Sequence, residues 1–271
     1  MLRILGKIRK KLLHERKVTR YVMYAFGEIL LVVLGILIAL QINNWNQSKV
    51  DVETQRKYLI NILSDLEEQL DYIEIQKTYE KRFMEAAIPE LTYYNAHFKF
   101  RLDSTFFANM NTLVARKTFI TTDPSFTDLI SSGNIRLIKN ESLKKNILSY
   151  YQDLKLSEKI IQNNNIFIVD QHFGNVVKDI GYFFFDTEKF YLKGVDQLNP
   201  EVYKAATQLN HFNPHLASTS SNLLQDPEKQ LVLMNSLNQR ANIAIAHYQR
   251  AIVLDEKTKD LITEIKQELS D

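Results

Sequence analysis

Polar and apolar positions sort the chain into two kinds of helix. From Tyr21 to Leu40 it reads YVMYAFGEILLVVLGILIAL, twenty residues in which Glu28 is the one charged side chain. At a rise of about 1.5 Å per residue, such a run covers a hydrocarbon core about 30 Å thick. The pattern predicts a spanning helix over 21–42. Beyond it the apolar residues thin to a stripe. Tyr58/Leu59, Ile62/Leu63, Leu66, Leu70 and Ile73, then Tyr72, Ile75, Tyr79, Phe83 and Ala86/Ala87, recur every three or four residues, with a shift of stripe near 72. This spacing predicts a helix over about 50–88, continuous with the span and closed by Pro89.

Cap signals divide the remainder. Asp103 or Ser104 is placed to cap a helix over 103–116. Asp123-Pro124 opens a short helix that Gly133 closes, and Asn140 caps a longer one over about 141–178. Residues 180–225 hold the aromatic run Tyr182-Phe183-Phe184-Phe185 together with Pro200 and Pro214, and predict short helices and loops, with room for a small hairpin. The aromatic run reads as core at one end of a bundle, or as a docking patch if exposed. Asp226-Pro227 starts a last helix that runs almost to Asp271, about 65 Å of it. An antiparallel pairing of this helix with 50–88 is the economical arrangement. The expected class is mainly α: a single transmembrane helix continuing into an elongated extracytoplasmic helical bundle, divided into a tail (1–20), a span (21–42) and a domain (43–271).

Charge gives the span a direction. Residues 1–20 carry eight basic side chains against Glu15, a net +7; since the whole chain carries +2, residues 21–271 sum to −5. The excess of Lys and Arg before the span, against Lys49 and Arg56 offset by Asp51 and Glu53 after it, predicts a cytoplasmic N-terminus. The tail's apolar residues Met1, Ile4, Leu5, Ile8 and Leu12 fall on one helical stripe, as in a helix lying along anionic lipid. That tail is too short to serve as an output domain. Tyr21 and Tyr24 at one end and Trp45 at the other have the chemistry of interface anchors. The run exits through Ala39-Leu40-Gln41-Ile42-Asn43 without a small-x-small cleavage pattern, so it reads as an uncleaved anchor.

Glu28 is costly to bury in hydrocarbon and calls for a partner. It shares a helical face with Gly35 and Ala39, a small-x-x-x-small pair that permits close helix approach. Two readings stand side by side: a contact face for a second spanning helix, or a carboxyl group near the inner interface beside incidental small residues.

The block GEILLVVLGILIALQINNWN (27–46), the basic tail and SSGNIRLIKNESLKKNILSYY (131–151) together resemble an uncharacterised family of small bacterial membrane proteins, a domain of unknown function. The resemblance implies a bacterial inner-membrane protein with its domain in the periplasm. It implies no activity.

Candidate chemistry is sparse. With no cysteine, thiolate catalysis and Cys-based metal sites are excluded. The acidic balance of the domain leaves no nucleic-acid footprint. His211-x-x-x-His215 is broken by Pro214, Asp170-x-His172 reads as a packing pair, and Ser142-x-x-Lys145 lacks the companion motifs of penicillin-recognising enzymes. No phosphate loop or nucleophile elbow is present. Gly133, Asn134 and Arg136, with Tyr150 and Tyr151, are a possible groove, weighed against an ordinary helix C-cap and turn. The expectation is a protein that is not an enzyme and takes no cofactor. It would act as a membrane-anchored periplasmic interaction or assembly module, with the lipid bilayer and a membrane or periplasmic protein, or a second copy, as partners. The alternative is a helical-bundle small-ligand sensor domain signalling through a partner membrane protein.

Overall fold

No glycine or proline interrupts residues 36–88, and the computed structural model carries a single helix, α1, over Val18–His97. The structure describes the backbone of residues 18–182, 201, 204 and 212–270, and their side chains from Val22 onward. The expectations for the basic tail, the Tyr21 side chain, Phe183–Phe185 and His211 fall outside the described residues. Among the described residues there is no strand, as a mainly α chain requires. Contacts divide the chain into two units between Lys57 and Tyr58.

In the first unit the described large apolar side chains, from Val22 to Val52, are exposed. The most apolar stretch has a mean hydropathy of 2.4 and is 0% buried, which makes α1 the one helix among the described residues long and apolar enough to cross a membrane.

The second unit is a bundle of four legs, up-down-up-down. The first leg is α1 over 58–97. The second descends through α2 (Ser104–Val114), an irregular stretch 115–123, α3 (Pro124–Ser131) and a 3₁₀ turn (Asn134–Leu137). The third ascends through α4 (Glu141–Asn164), a π-helical segment (Asn165–Phe173) and α5 (Gly174–Ile180). After α6 (Pro214–Leu223), the fourth descends as α7 (Pro227–Ser270), about 66 Å long. Cross-leg contacts fix the directions. Lys266 meets Glu67, Lys77 meets Asp255 and Tyr94 meets Gln230, so α7 runs antiparallel to α1 as expected. Asn140–Glu268, Asn146–Glu264 and Tyr150–Thr258 set α7 antiparallel to α4 as well.

Local caps form where the sequence places them. Asp103 accepts from the Phe106 N–H and Asn140 from the Leu143 N–H. Gly133 takes φ 72°, the left-handed conformation that closes a helix and favours glycine. Asp123 occupies its cap position without a side-chain bond. The carboxylate of Asp65 reaches across from α1 to the Ser125 N–H at 2.9 Å instead.

Two expectations are corrected. Pro89 does not close α1, which continues to His97. Proline in a helix interior costs about 3 kcal/mol, and the contacts beyond it offset that cost. Glu90 is held by Arg101 and Asn109 at 2.7 Å each, while Tyr94 packs at a tilt against Phe100 and donates to Gln230. The helix expected over 141–178 is likewise not uniform. Its buried positions Ser157, Ile161, Asn165, Val169, Phe173 and Val177 recur at strict intervals of four. A step of four overshoots an α-helical turn by about 40°, so an α-helix would carry this stripe off the core. The wider π turn brings it back.

The bundle's core has two clusters. One holds Leu59, Ile62, Leu66, Ile73, Leu154, Leu254 and Ile265. The other is richer in aromatic rings, with Phe83, Phe100, Phe106, Phe107 and Phe173. Between them lies a polar layer.

Candidate functional site

The polar layer is built from residues that fall on the buried stripes. On α1, Gln76 and Glu80 stand one turn apart between Ile73 and Phe83, and each is 1% exposed. Gln76 Nε2 donates to Glu80 Oε1 at 2.7 Å, an i,i+4 pair on one face. From α7, His247 places Nδ1 3.1 Å from the same oxygen. Its Nε2 lies 3.0 Å from Asn164 Nδ2 at the end of α4. The next residue, Asn165, opens the π segment and donates to the Lys117 carbonyl at 2.9 Å.

Arg240, two turns before His247, is 1% exposed. Its Nε donates to the Leu113 carbonyl at 2.9 Å and an Nη to the Ala115 carbonyl at 3.2 Å. These carbonyls end α2 with no helical partner of their own, which is where a cation is favoured. The guanidinium also lies 4.2 Å from the Phe83 ring centroid. Burial lowers its pKa to about 10, partly countered by the Glu80 carboxylate. A buried cation and a buried anion thus share the layer without touching. Gln76 Oε1, Glu80 Oε2 and the Tyr79 hydroxyl are buried there without a hydrogen-bond partner among the described residues.

The groove expected around Gly133 resolves into two places. Asn134 donates to the Tyr58 hydroxyl at 3.1 Å, and Tyr58 donates to Asp128 at 2.7 Å and lies 3.3 Å from Ser132 Oγ. Gly133 and Arg136 are exposed beside this small network. Tyr150 and Tyr151, each 4% exposed, belong to the core. Tyr150 bonds Thr258 at 2.9 Å, and Tyr151 stacks on Phe126 at 4.1 Å. Burial pushes the Tyr150 phenol up to about 12. It raises Tyr151 further, helped by the charges of Asp65 and Asp123.

On the apolar part of α1, Tyr24, Glu28, Gly35 and Ala39 are exposed, and nothing lies within 4 Å of a Cβ built on Gly35. Trp45 is exposed, with Lys49 Nζ 3.8 Å from its ring centroid. Of the weaker candidates, Asp170 pairs with Arg116 at 3.2 Å and His172 with Ser236 at 3.3 Å, so these two do not act together. Ser142 and Lys145 are exposed in the first turn of α4, and His215 is exposed behind the Asn213 cap. Sequence reasoning missed Glu80, Arg240 and His247. The available signal was a polar residue standing where the helical stripe demands an apolar one.

The chain belongs to DUF6090, a family of unknown function whose model matches residues 28–203. That stretch takes in 28–46 and 131–151. No curated protein and no solved structure matches the chain.

Proposed function

We propose that this DUF6090 member is a single-pass protein of the bacterial inner membrane, with a cytoplasmic N-terminus and a periplasmic bundle, and that it works as a non-enzymatic interaction or assembly module. The observation that carries this reading is the 0% burial of the apolar stretch of α1. Soluble proteins rarely leave contiguous apolar surface of that size in water, and lipid is the solvent that suits it. The bundle beyond it fills its own core, so the apolar stretch is not a leftover of an unfinished fold. Trp45 with Lys49 marks one interface and Tyr24 the other. Charge sets the orientation, and the face of Glu28, Gly35 and Ala39 is the route to a second helix.

The chain has no cysteine, so single substitutions report cleanly. In cells, Gly35→Cys and Ala39→Cys are expected to form cross-links that Leu37→Cys, on the opposite face, does not, and the full chain is expected to resist alkaline extraction. Release by alkaline wash would remove the span. If Glu28→Leu and Gly35→Leu leave every cross-link unchanged, the helix is only an anchor. A sensor reading has its own support in a surface cleft of about 550 Å³ on the bundle, where Lys77, Lys81 and Arg82 stand between Glu74 and Glu85 beside Tyr248. Stabilisation of the bundle by a small charged ligand in a thermal screen would favour it.

A further inference from the structure

Glu80, His247 and Asn164 form a chain of two hydrogen bonds in which the number of donors fixes the number of protons. His247 Nδ1 stands 3.1 Å from Glu80 Oε1, and Nε2 stands 3.0 Å from Asn164 Nδ2. In this arrangement the Asn164 amide N–H donates to Nε2, which carries no hydrogen, and Nδ1–H donates to the carboxylate. One added proton has two places to go. On Glu80 Oε2, which has no partner among the described residues, it leaves the chain of bonds as it is. On the imidazole, or between Nδ1 and Oε1, it leaves Nε2 bearing a hydrogen that needs an acceptor where the Asn164 N–H now stands. Asn164 then has to turn its amide through half a revolution and present Oδ1. It is partly exposed at the end of α4, so water can take over the displaced N–H.

We propose that Glu80, His247 and Asn164 are a proton-operated switch: uptake of one proton turns the Asn164 amide and loosens the π segment that begins at the next residue. The mechanical link is short. Asn165 holds the Lys117 carbonyl, so the head of the π segment is tied to the irregular stretch 115–123. Wide π turns are weakly held and cluster at functional positions.

Each element packed around the layer brings its own charged or polar groups. From α1 come Glu80, the neutral Tyr79 phenol and Arg82, whose charge acts on that phenol, and from 115–123 comes Lys117, whose Nζ is 5.2 Å from the Tyr79 ring centroid. From α4 comes Asn164, uncharged. From α7 come Arg240 and Arg250, the latter on Ser157 at 3.4 Å. The π segment adds Asp170, paired with Arg116, and His172, on Ser236, both exposed. Glu80 and Arg240 are the charges sealed within the layer, and they balance while the imidazole is neutral. A loaded proton leaves one positive charge in excess beside Arg240. That excess sets the direction, towards opening. Imidazole is the side chain suited to this, because its charge changes between about pH 5 and 8.

The test uses the full chain, labelled with ¹⁵N, in nanodiscs of phosphatidylethanolamine and phosphatidylglycerol. Between about pH 8 and 5, His247 Nε2 is expected to pass from its unprotonated to its protonated signal. Over the same interval, amide exchange in 165–173, corrected for intrinsic rate, should quicken about tenfold. His247→Gln should abolish the pH response of exchange. Asn164→Leu should leave a titrating histidine whose proton no longer moves exchange in 165–173, and this variant carries the test if His247→Gln does not fold. The proposal is overturned if Nε2 stays unprotonated to about pH 5, if the response survives in His247→Gln (which would point to His172), or if Asn164→Leu keeps it. None of these outcomes depends on the anchoring role.

Discussion

Glu28 and Glu80 stand on the same helix, yet they answer to different solvents. Around Glu28 every large apolar side chain from Val22 to Ile42 in that stretch of α1 faces outward. Around Glu80 the helix is amphipathic: Ile73, Phe83 and Ala87 are buried, and the carboxylate itself is 1% exposed. Hydrogen bonding within the backbone is the same in both stretches. What differs is where the side chains find their contacts. The bundle stretch takes them from α7 and the second leg, whereas the large side chains of the apolar stretch stay exposed among the described residues. Helical propensity therefore says little about either stretch. The width of the apolar face decides what each one needs around it.

The comparison breaks most directly by truncating a buried ring. Phe83→Ala removes the ring beneath Arg240 and is expected to cost the bundle about 3–5 kcal/mol in denaturant unfolding. Leu34→Ala in the apolar stretch should leave that transition unmoved. The two glutamates come next. Glu80→Ala strands His247, Gln76 and the charge of Arg240, an expected loss of about 3 kcal/mol. Glu28→Ala should change cross-linking through the spanning face without changing bundle unfolding.

Alkaline pH sharpens the contrast further. Tyr150 is raised to about 12 by burial, so the fold favours its neutral form. Its contribution is complete below about pH 10, the unfolded value, and is lost as the pH rises through about 12, a change of about 3 kcal/mol at most. Arg240, lowered to about 10, acts with the opposite sign over the same window. Thermal unfolding of Tyr150→Phe beside the parent chain from about pH 9 to 12 should show a flatter decline in the variant. The smallest effect separates two glycines. Gly133 and Gly35 both have open space where a Cβ would go, but only Gly133 sits at φ 72°. Gly133→Ala should cost the bundle about 1 kcal/mol from backbone strain alone, and Gly35→Ala should leave bundle unfolding unchanged.

Much of this fold was legible because its signals are local. Asp103, Asn140, Pro124, Gly133 and Pro227 each act on neighbours within a turn, and each stands at the helix boundary its residue type predicts. The continuation of α1 past Pro89 was not legible. It rests on Arg101, Asn109 and Gln230, which are distant in sequence and meet Glu90 and Tyr94 only once the legs are assembled. The π segment was hidden for a related reason. Intervals of three and four fit an α-helix loosely, and the unbroken intervals of four from Ser157 to Val177 become informative only when burial is known. The polar layer was the least legible part of the candidate site. Gln76, Glu80, Arg240 and His247 interrupt apolar stripes, but which of them meet, and that Asn164 joins them, appears only when the helices are in register. Of the groove residues, Asn134 kept a polar partner in Tyr58, whereas the aromatic pair Tyr150 and Tyr151 went to the core, as its spacing on α4 equally allows.

Residues 115–123 have the look of a loop, and loops ordinarily accept extra residues. This one is moored at fixed points. Gln69 receives the Thr122 N–H at 2.7 Å and gives its own N–H to the Ile120 carbonyl at 3.0 Å, so one side chain serves as a neighbouring strand would. Asn165 grips Lys117, and Arg240 grips Leu113 and Ala115. Three helices thus read off the length of the stretch like marks on a ruler. Lengthening it by a single residue is expected to disturb the bundle more than a comparable insertion between Gln225 and Asp226, which are both exposed.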